Sequence, residues 1–170
     1  MTAADEAPPL DAEAILTVLN KHHVDYVVIG AWAAIAQGAP IGATRDIDLT
    51  PATSATNLDR LSAALKRLGA RIRTEGVPGG LAFDHDGASL ARAAFWNLVC
   101  PLGELDLSFV PSGTGGYDDL ITRAHIVRVG GVEAAIADLA DVIRSKEAAG
   151  RTKDIQRLPA LYEHLRARGG

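Results

Sequence analysis

Apolar residues along this chain switch between two periods, and the switches mark out its elements. Ile15, Leu16, Val18 and Leu19 follow helical spacing behind a capping Asp11. Tyr26-Val27-Val28-Ile29 is a short apolar run that predicts a strand, and Gly30 separates it from a helix over Ala31–Gln37. A loop over Gly38–Gly42 leads into a strand over Thr44–Leu49. Leu58, Leu61, Leu65 and Leu68 predict a core-facing helix over Asn57–Leu68. Arg71–Arg73 and Leu81–Phe83 read as short strands on either side of a flexible loop, Gly76–Gly80. Phe95–Cys100 and Glu104–Phe109 form a predicted hairpin; in its second arm Leu105, Leu107 and Phe109 face the core while Glu104, Asp106 and Ser108 face away. A loop over Ser112–Gly116 and a short helix over Tyr117–Arg123 follow. Gly130-Gly131 joins His125–Val129 to Val132–Ile136 as a second hairpin. Asp138 starts a helix with Leu139, Val142 and Ile143 on one stripe, and Gly150 ends it. The last helix carries Ile155, Leu158, Leu161, Tyr162 and Leu165, with Pro159 as a kink or a restart. Strands interleaved with helices predict an α/β fold, a mixed β-sheet with packed helices. Residues 1–9 read as a flexible tail and residues 10–170 as a single domain with a helical, basic C-terminal segment.

Composition narrows the function classes. With 170 residues, 48% hydrophobic and 22% charged, the chain is of ordinary globular type. One cysteine, Cys100, excludes an intrachain disulfide and fits a reducing, cytoplasmic setting. No apolar run is long enough for a membrane helix, so no membrane partner is expected. The net charge of -4 gives no global sign of polyanion binding. The C-terminal stretch nevertheless gathers Arg144, Lys146, Arg151, Lys153, Arg157, Arg166 and Arg168, which suits either a polyanion or a solvated helical face.

The chemistry concentrates in Asp46-Ile47-Asp48. On a strand, Asp46 and Asp48 project from one face and Ile47 and Leu49 from the other. Two adjacent carboxylates repel unless a cation neutralises them, and a divalent metal does so directly. Upstream, Gly30 lies between a strand and a helix, where backbone N–H groups can receive a phosphate. A phosphate cradle followed by a metal-binding carboxylate pair points to a nucleotide site.

The stretch Val28 to Gly38, followed by Thr44-Arg45-Asp46-Ile47-Asp48-Leu49, resembles the nucleotidyltransferase superfamily of DNA polymerase beta, aminoglycoside nucleotidyltransferases and tRNA-adding enzymes. Within it the chain looks most like AbiEii/MenT-type toxins of toxin–antitoxin systems. It departs in having Ala31 where the superfamily has a second glycine or a serine. The resemblance implies a nucleotidyltransferase fold and a third carboxylate on a later strand, matched by Asp106 in Leu105-Asp106-Leu107. It implies that Asp46, Asp48 and Asp106 hold two Mg²⁺ ions, with Mn²⁺ as a substitute. Gly30 and Ala31 then border the triphosphate of an NTP substrate. The expected reaction is transfer of a nucleoside monophosphate to an acceptor hydroxyl, with pyrophosphate leaving. By resemblance the acceptor is the 3′ end of tRNA, which makes the protein a toxin with a cognate antitoxin. Two rivals stand beside this reading: transfer to a small molecule such as an aminoglycoside or to a protein side chain, and a catalytically degenerate module that binds nucleotide or a partner. An acidic groove facing the acceptor favours a polycationic aminoglycoside; a basic one favours RNA.

Lys146 continues the stripe of Leu139, Val142 and Ile143, so it either snorkels out or reaches an anion. By resemblance it is a triphosphate clamp, counted with the catalytic residues. Asp154 then steadies Lys146, contacts the base or ribose, or simply caps the last helix. Thr44 shares the face of Asp46 and Asp48 if the strand extends that far; in the toxins resembled, a Ser or Thr there can be phosphorylated. Arg45 is expected on the opposite face, in a core-edge ion pair. Trp32 and Trp96 read as core residues, and Cys100, beside Pro101 in a turn, as no nucleophile.

Overall fold

The computed structural model describes residues 7–169, so most of the tail expected over residues 1–9 lies outside the described residues. Helix α1 (Ala12–Lys21) is capped by Asp11, whose carboxylate accepts from the Ala14 N–H at 3.0 Å. Strand β1 (Tyr26–Ile29) runs into α2 (Gly30–Ala36), and β2 (Asp46–Pro51) follows. Helix α3 (Ala55–Leu68) begins at a Ser54 cap and stops at Gly69, which takes the left-handed conformation. Next come β3 (Arg71–Thr74), β4 (Val77–Leu81), a one-turn α4 (Gly87–Leu90), and the hairpin β5 (Phe95–Cys100) and β6 (Gly103–Ser108). The chain closes with α5 (Tyr117–Leu120), the hairpin β7 (His125–Val129) and β8 (Val132–Ile136), α6 (Leu139–Ala149) and α7 (Thr152–Ala167).

All eight strands join one sheet in the order β4-β3-β5-β6-β2-β1-β8-β7. Two pairs are parallel, β2 with β6 and β1 with β8, and the others are antiparallel. The sheet is therefore mixed, as the alternation of patterns predicts. One core cluster runs from Ala12 to Leu161 and draws on α1, α2, α3, α6 and the inner strands. Its members include the down-facing residues of β2 and β6: Ile47, Leu49, Leu105 and Leu107 are fully buried. That burial locks the register, because a slip by one residue would turn these four outward and the carboxylates inward.

Four expectations need correction. Val77–Leu81 is not a loop but the edge strand β4, and no strand extends from Leu81 to Phe83. Its Pro78 is tolerated at a sheet edge, and Gly80 packs so tightly that a Cβ there would lie 2.5 Å from the Ile72 carbonyl. Helix α7 runs unbroken through Pro159, so that residue does not restart it. The N-cap of α7 is Arg151, and Asp154 sits inside the first turn.

Candidate active site

Strand register places the carboxylates. Ile29 pairs with Asp48, Asp48 with Asp106, and Asp106 with Asn97, so one row crosses β1, β2, β6 and β5. One step along, Asp46 pairs with Glu104. Side chains alternate along each strand, so Asp46, Asp48, Glu104 and Asp106 rise from the same face. One oxygen from each of Asp46, Asp48 and Asp106 lies within 4.8 Å of the others. These three residues open into a cavity of about 750 Å³, together with Gly30, Ala31, Thr44, Lys146 and Asp154. The eight candidate site residues read from the sequence thus border one space.

Gly30 is required here for a steric reason. Its φ is +79°, and a Cβ at this position would overlap the Asp48 carboxylate. Thr44 lies before β2, yet its hydroxyl donates to Asp46 Oδ1 at 2.8 Å, so it belongs to the site without the strand extension. Arg45 is also outside the strand. It is exposed on the cavity wall, and the alternation that would turn it to the opposite face does not apply.

Burial pushes the Asp48 carboxyl up to about 6, and the charge of Asp46 adds to it; Lys146, Lys153 and Arg151 oppose. Burial also pushes Asp106 up to about 7; Arg73 opposes, while Asp48 and Asp46 reinforce the rise. Near neutral pH the cluster is therefore short of positive charge. Asp106 Oδ1 is shielded from solvent and accepts no hydrogen bond among the described residues. Arg73 Nη2 stands 2.9 Å from that oxygen, close enough for an ion pair but with no N–H aimed along the line. Three hard oxygen donors, crowded and under-neutralised, fit a divalent cation such as Mg²⁺.

Lys146 lies across the cavity. It is buried, and its ammonium reaches Asp154 Oδ1 at 3.3 Å. Burial lowers its pKa, and the charge of Asp154 works against that shift. Asp154 is fully buried and also receives Arg151 Nε at 2.7 Å. Burial opposes its ionisation, but the Arg151 hydrogen bond and the Lys146 charge outweigh that and hold it below the usual carboxylate range. The arrangement is one of Asp154 steadying Lys146. Helix α6 is itself anchored: Arg144 bridges Asp119 and Asp141, and Arg123 bridges the same pair.

Two features escaped the sequence. Arg73, on β3, reaches both Asp106 and Glu104, the latter at 3.4 Å. That contact depends on β3 pairing with β5, a long-range event with no local signal. The exposed Phe95 lines the same cavity as Asn97, Glu104 and Ser108, and the period-two pattern of the hairpin could have pointed to them. Trp32 and Trp96 pack against the core as expected; the Trp96 indole donates to the Leu90 carbonyl and its ring stacks on Phe83. Cys100 is buried.

Solved structures share this fold. The antibiotic-resistance factor ANT(2'')-Ia, in complex with adenylyl-2''-tobramycin, superposes with a TM-score of 0.59 at 17% identity, over 92% of this chain and 88% of that one. The lincosamide antibiotic adenylyltransferase LnuA, bound to lincomycin, gives 0.59 at 14% identity over 91% and 98%. An antigenic nucleotidyltransferase-like protein from Paracoccidioides brasiliensis gives 0.52 at 18% identity over 90% and 77%. No curated protein matches the sequence. A family model described as aminoglycoside-2''-adenylyltransferase matches residues 12–98, half of the chain, a stretch that contains Gly30, Asp46 and Asp48. The chain belongs to the aminoglycoside-2''-adenylyltransferase family, and it is a nucleotidyltransferase.

Proposed function

We propose that this enzyme transfers a nucleoside monophosphate from an Mg²⁺-bound NTP to a hydroxyl of a small cationic acceptor. The observation that carries this reading is the shared cavity, with three carboxylates within 4.8 Å of one another on one wall and buried Lys146 on another. Asp46, Asp48 and Asp106 would hold the metal ions, which when bound draw charge from the triphosphate and make the acceptor hydroxyl more acidic. Lys146, held by Asp154, binds the non-bridging phosphate oxygens. Gly30 and Ala31 leave room for the triphosphate beside Asp48. Asp106, the carboxylate of the row farther from α2, receives the acceptor's proton as the acceptor oxygen attacks the α-phosphorus and pyrophosphate leaves.

Charge supports the small cationic acceptor. Glu104 adds a fourth acid to the face that carries Asp46, Asp48 and Asp106, and Arg73 is the guanidinium that meets Glu104 and Asp106 there. Four carboxyl groups against that one guanidinium suit a cationic acceptor. The named neighbours that modify aminoglycosides and lincosamides point the same way.

A second reading keeps the chemistry and changes the acceptor. Arg151, Lys153 and Arg157 line the opposite rim, where a polyanion could lie. Together with the AbiEii/MenT resemblance, this supports transfer to the 3′ end of tRNA by a toxin with a cognate antitoxin. One experiment separates the two. The protein is incubated with each labelled NTP and Mg²⁺, together with tobramycin, lincomycin, total RNA or no acceptor. Label on an antibiotic supports the first reading. A labelled band of tRNA size establishes the second. No label on any acceptor overturns both.

A further inference from the structure

Arg73 is the cation already standing at the carboxylate cluster. It arises on β3, crosses β5, and meets β6 at two acids, with Nη2 2.9 Å from Asp106 and Nη1 3.4 Å from Glu104. Its only other polar contact among the described residues is a long hydrogen bond from Nη1 to the Leu98 carbonyl, at 3.4 Å. The side chain is 31% exposed, so it has a path out to solvent. Lys146, by contrast, is tied to Asp154 in a buried pair.

We infer that Arg73 competes with metal for Asp106, so that a divalent ion reaches full affinity there only when the guanidinium is displaced. This deepens the proposed function, because it takes Asp46, Asp48 and Asp106 as the metal ligands. A guanidinium touching Asp106 places a positive charge within a few ångströms of any ion bridging the three carboxylates. Even with water-like screening, the repulsion lowers affinity about tenfold. In the nucleotide-free enzyme Arg73 occupies the Asp106 side of the cluster; the triphosphate, entering with its own cation at Asp46 and Asp48, brings the negative charge that offsets the competition. Asp106 is thereby withheld until substrate is present, which orders assembly of the site.

The test is Mn²⁺ binding without nucleotide, measured by calorimetry on wild type, Arg73→Ala, Arg73→Lys and Asp46→Ala. Circular dichroism checks the fold of each, and Arg73→Gln replaces the alanine variant should that one fail to fold. Arg73→Ala is expected to bind Mn²⁺ about tenfold tighter. Arg73→Lys, which keeps the charge, is expected to stay close to wild type. Unchanged or weaker binding in Arg73→Ala overturns the competition and leaves Arg73 as a strut for Asp106. If Asp46→Ala loses Mn²⁺ while Arg73→Ala gains nothing, only this inference falls. If Asp46→Ala binds as wild type does, the metal reading itself falls with it.

Discussion

Replacing Lys146 by alanine tests whether this lysine serves substrate as well as the fold. Its partner Asp154 has no solvent exposure, and the two meet at 3.3 Å. Removing one member of a buried ion pair costs about 3–5 kcal/mol when the other charge is left uncompensated. Asp154 is not left so, because Arg151 still reaches it at 2.7 and 3.4 Å. The stability loss should then approach that of one charge-assisted hydrogen bond plus the packing of the lysine stem, about 2–3 kcal/mol. Loss of a phosphate clamp adds a separate penalty on NTP binding of about 1.5–3 kcal/mol, roughly ten- to a hundredfold in affinity. The double variant Lys146→Ala/Asp154→Asn removes the buried charge as well, and Arg151 can still donate to the amide oxygen. Because Arg151 already compensates Asp154, stability should stay close to that of the single variant, and NTP affinity should stay low. Urea denaturation reads the first quantity and calorimetric titration with NTP the second. Wild-type NTP affinity in the double variant would refute the clamp and leave Lys146 a purely structural residue.

Asp46→Ala should abolish transfer, and Asp106→Asn should keep NTP binding but lose turnover; equal loss of NTP affinity in both would remove the acceptor role of Asp106. Asp48 and Asp106 have pKa values raised to about 6 and about 7, so the folded protein holds protons that the unfolded chain releases. Their stabilising contribution is present below the unfolded carboxylate range and is lost as pH rises through about 6 and 7. The melting temperature of the metal-free protein should therefore fall from about pH 5 to about pH 7 and level off above the folded titrations, and saturating Mg²⁺ should flatten the fall; a rise with pH would contradict the shifts. Gly30→Ala should lose transfer and stability together, since the new methyl meets the Asp48 carboxylate; a thermal melt and an activity assay near wild type would show that the loop yields. Thr44→Glu should impair NTP binding by placing a carboxylate where a hydroxyl now donates to Asp46, whereas Thr44→Ala should retain substantial activity; normal calorimetric NTP affinity in the glutamate variant would make Thr44 structural.

The parts of the site carried by local pattern were legible beforehand. Gly30, the Asp46/Asp48 pair and the alternation around Asp106 follow from rules that act within a few residues. So does Lys146, whose phase on α6 announced a lysine on the buried side. The parts that escaped depend on distant pairing. Arg73 reads as an ordinary strand residue until β3 is laid beside β5. The segment around Gly79-Gly80 has the composition of a loop, yet β3 recruits it as an edge strand. Helix α4, a single turn held by the reciprocal bonds of Asp86 and Ser89, is too short to display a period. Pro159 lies within α7 against local preference, because Leu161 and the residues around it are held by the core.

The parallel pairing of β2 with β6 has a further consequence for the chain as it is synthesised. Asp48 acquires Asp106 as a neighbour only after the whole of α3, β3, β4, α4 and β5 has been made, and Lys146 emerges later still. Contacts between residues so far apart form slowly and late in folding. A nascent chain on the ribosome carries Asp46 and Asp48 long before it carries anything to complete them. Such a partial chain lacks the third carboxylate and the lysine of the proposed site, so the proposed transfer has to wait until α6 has been made.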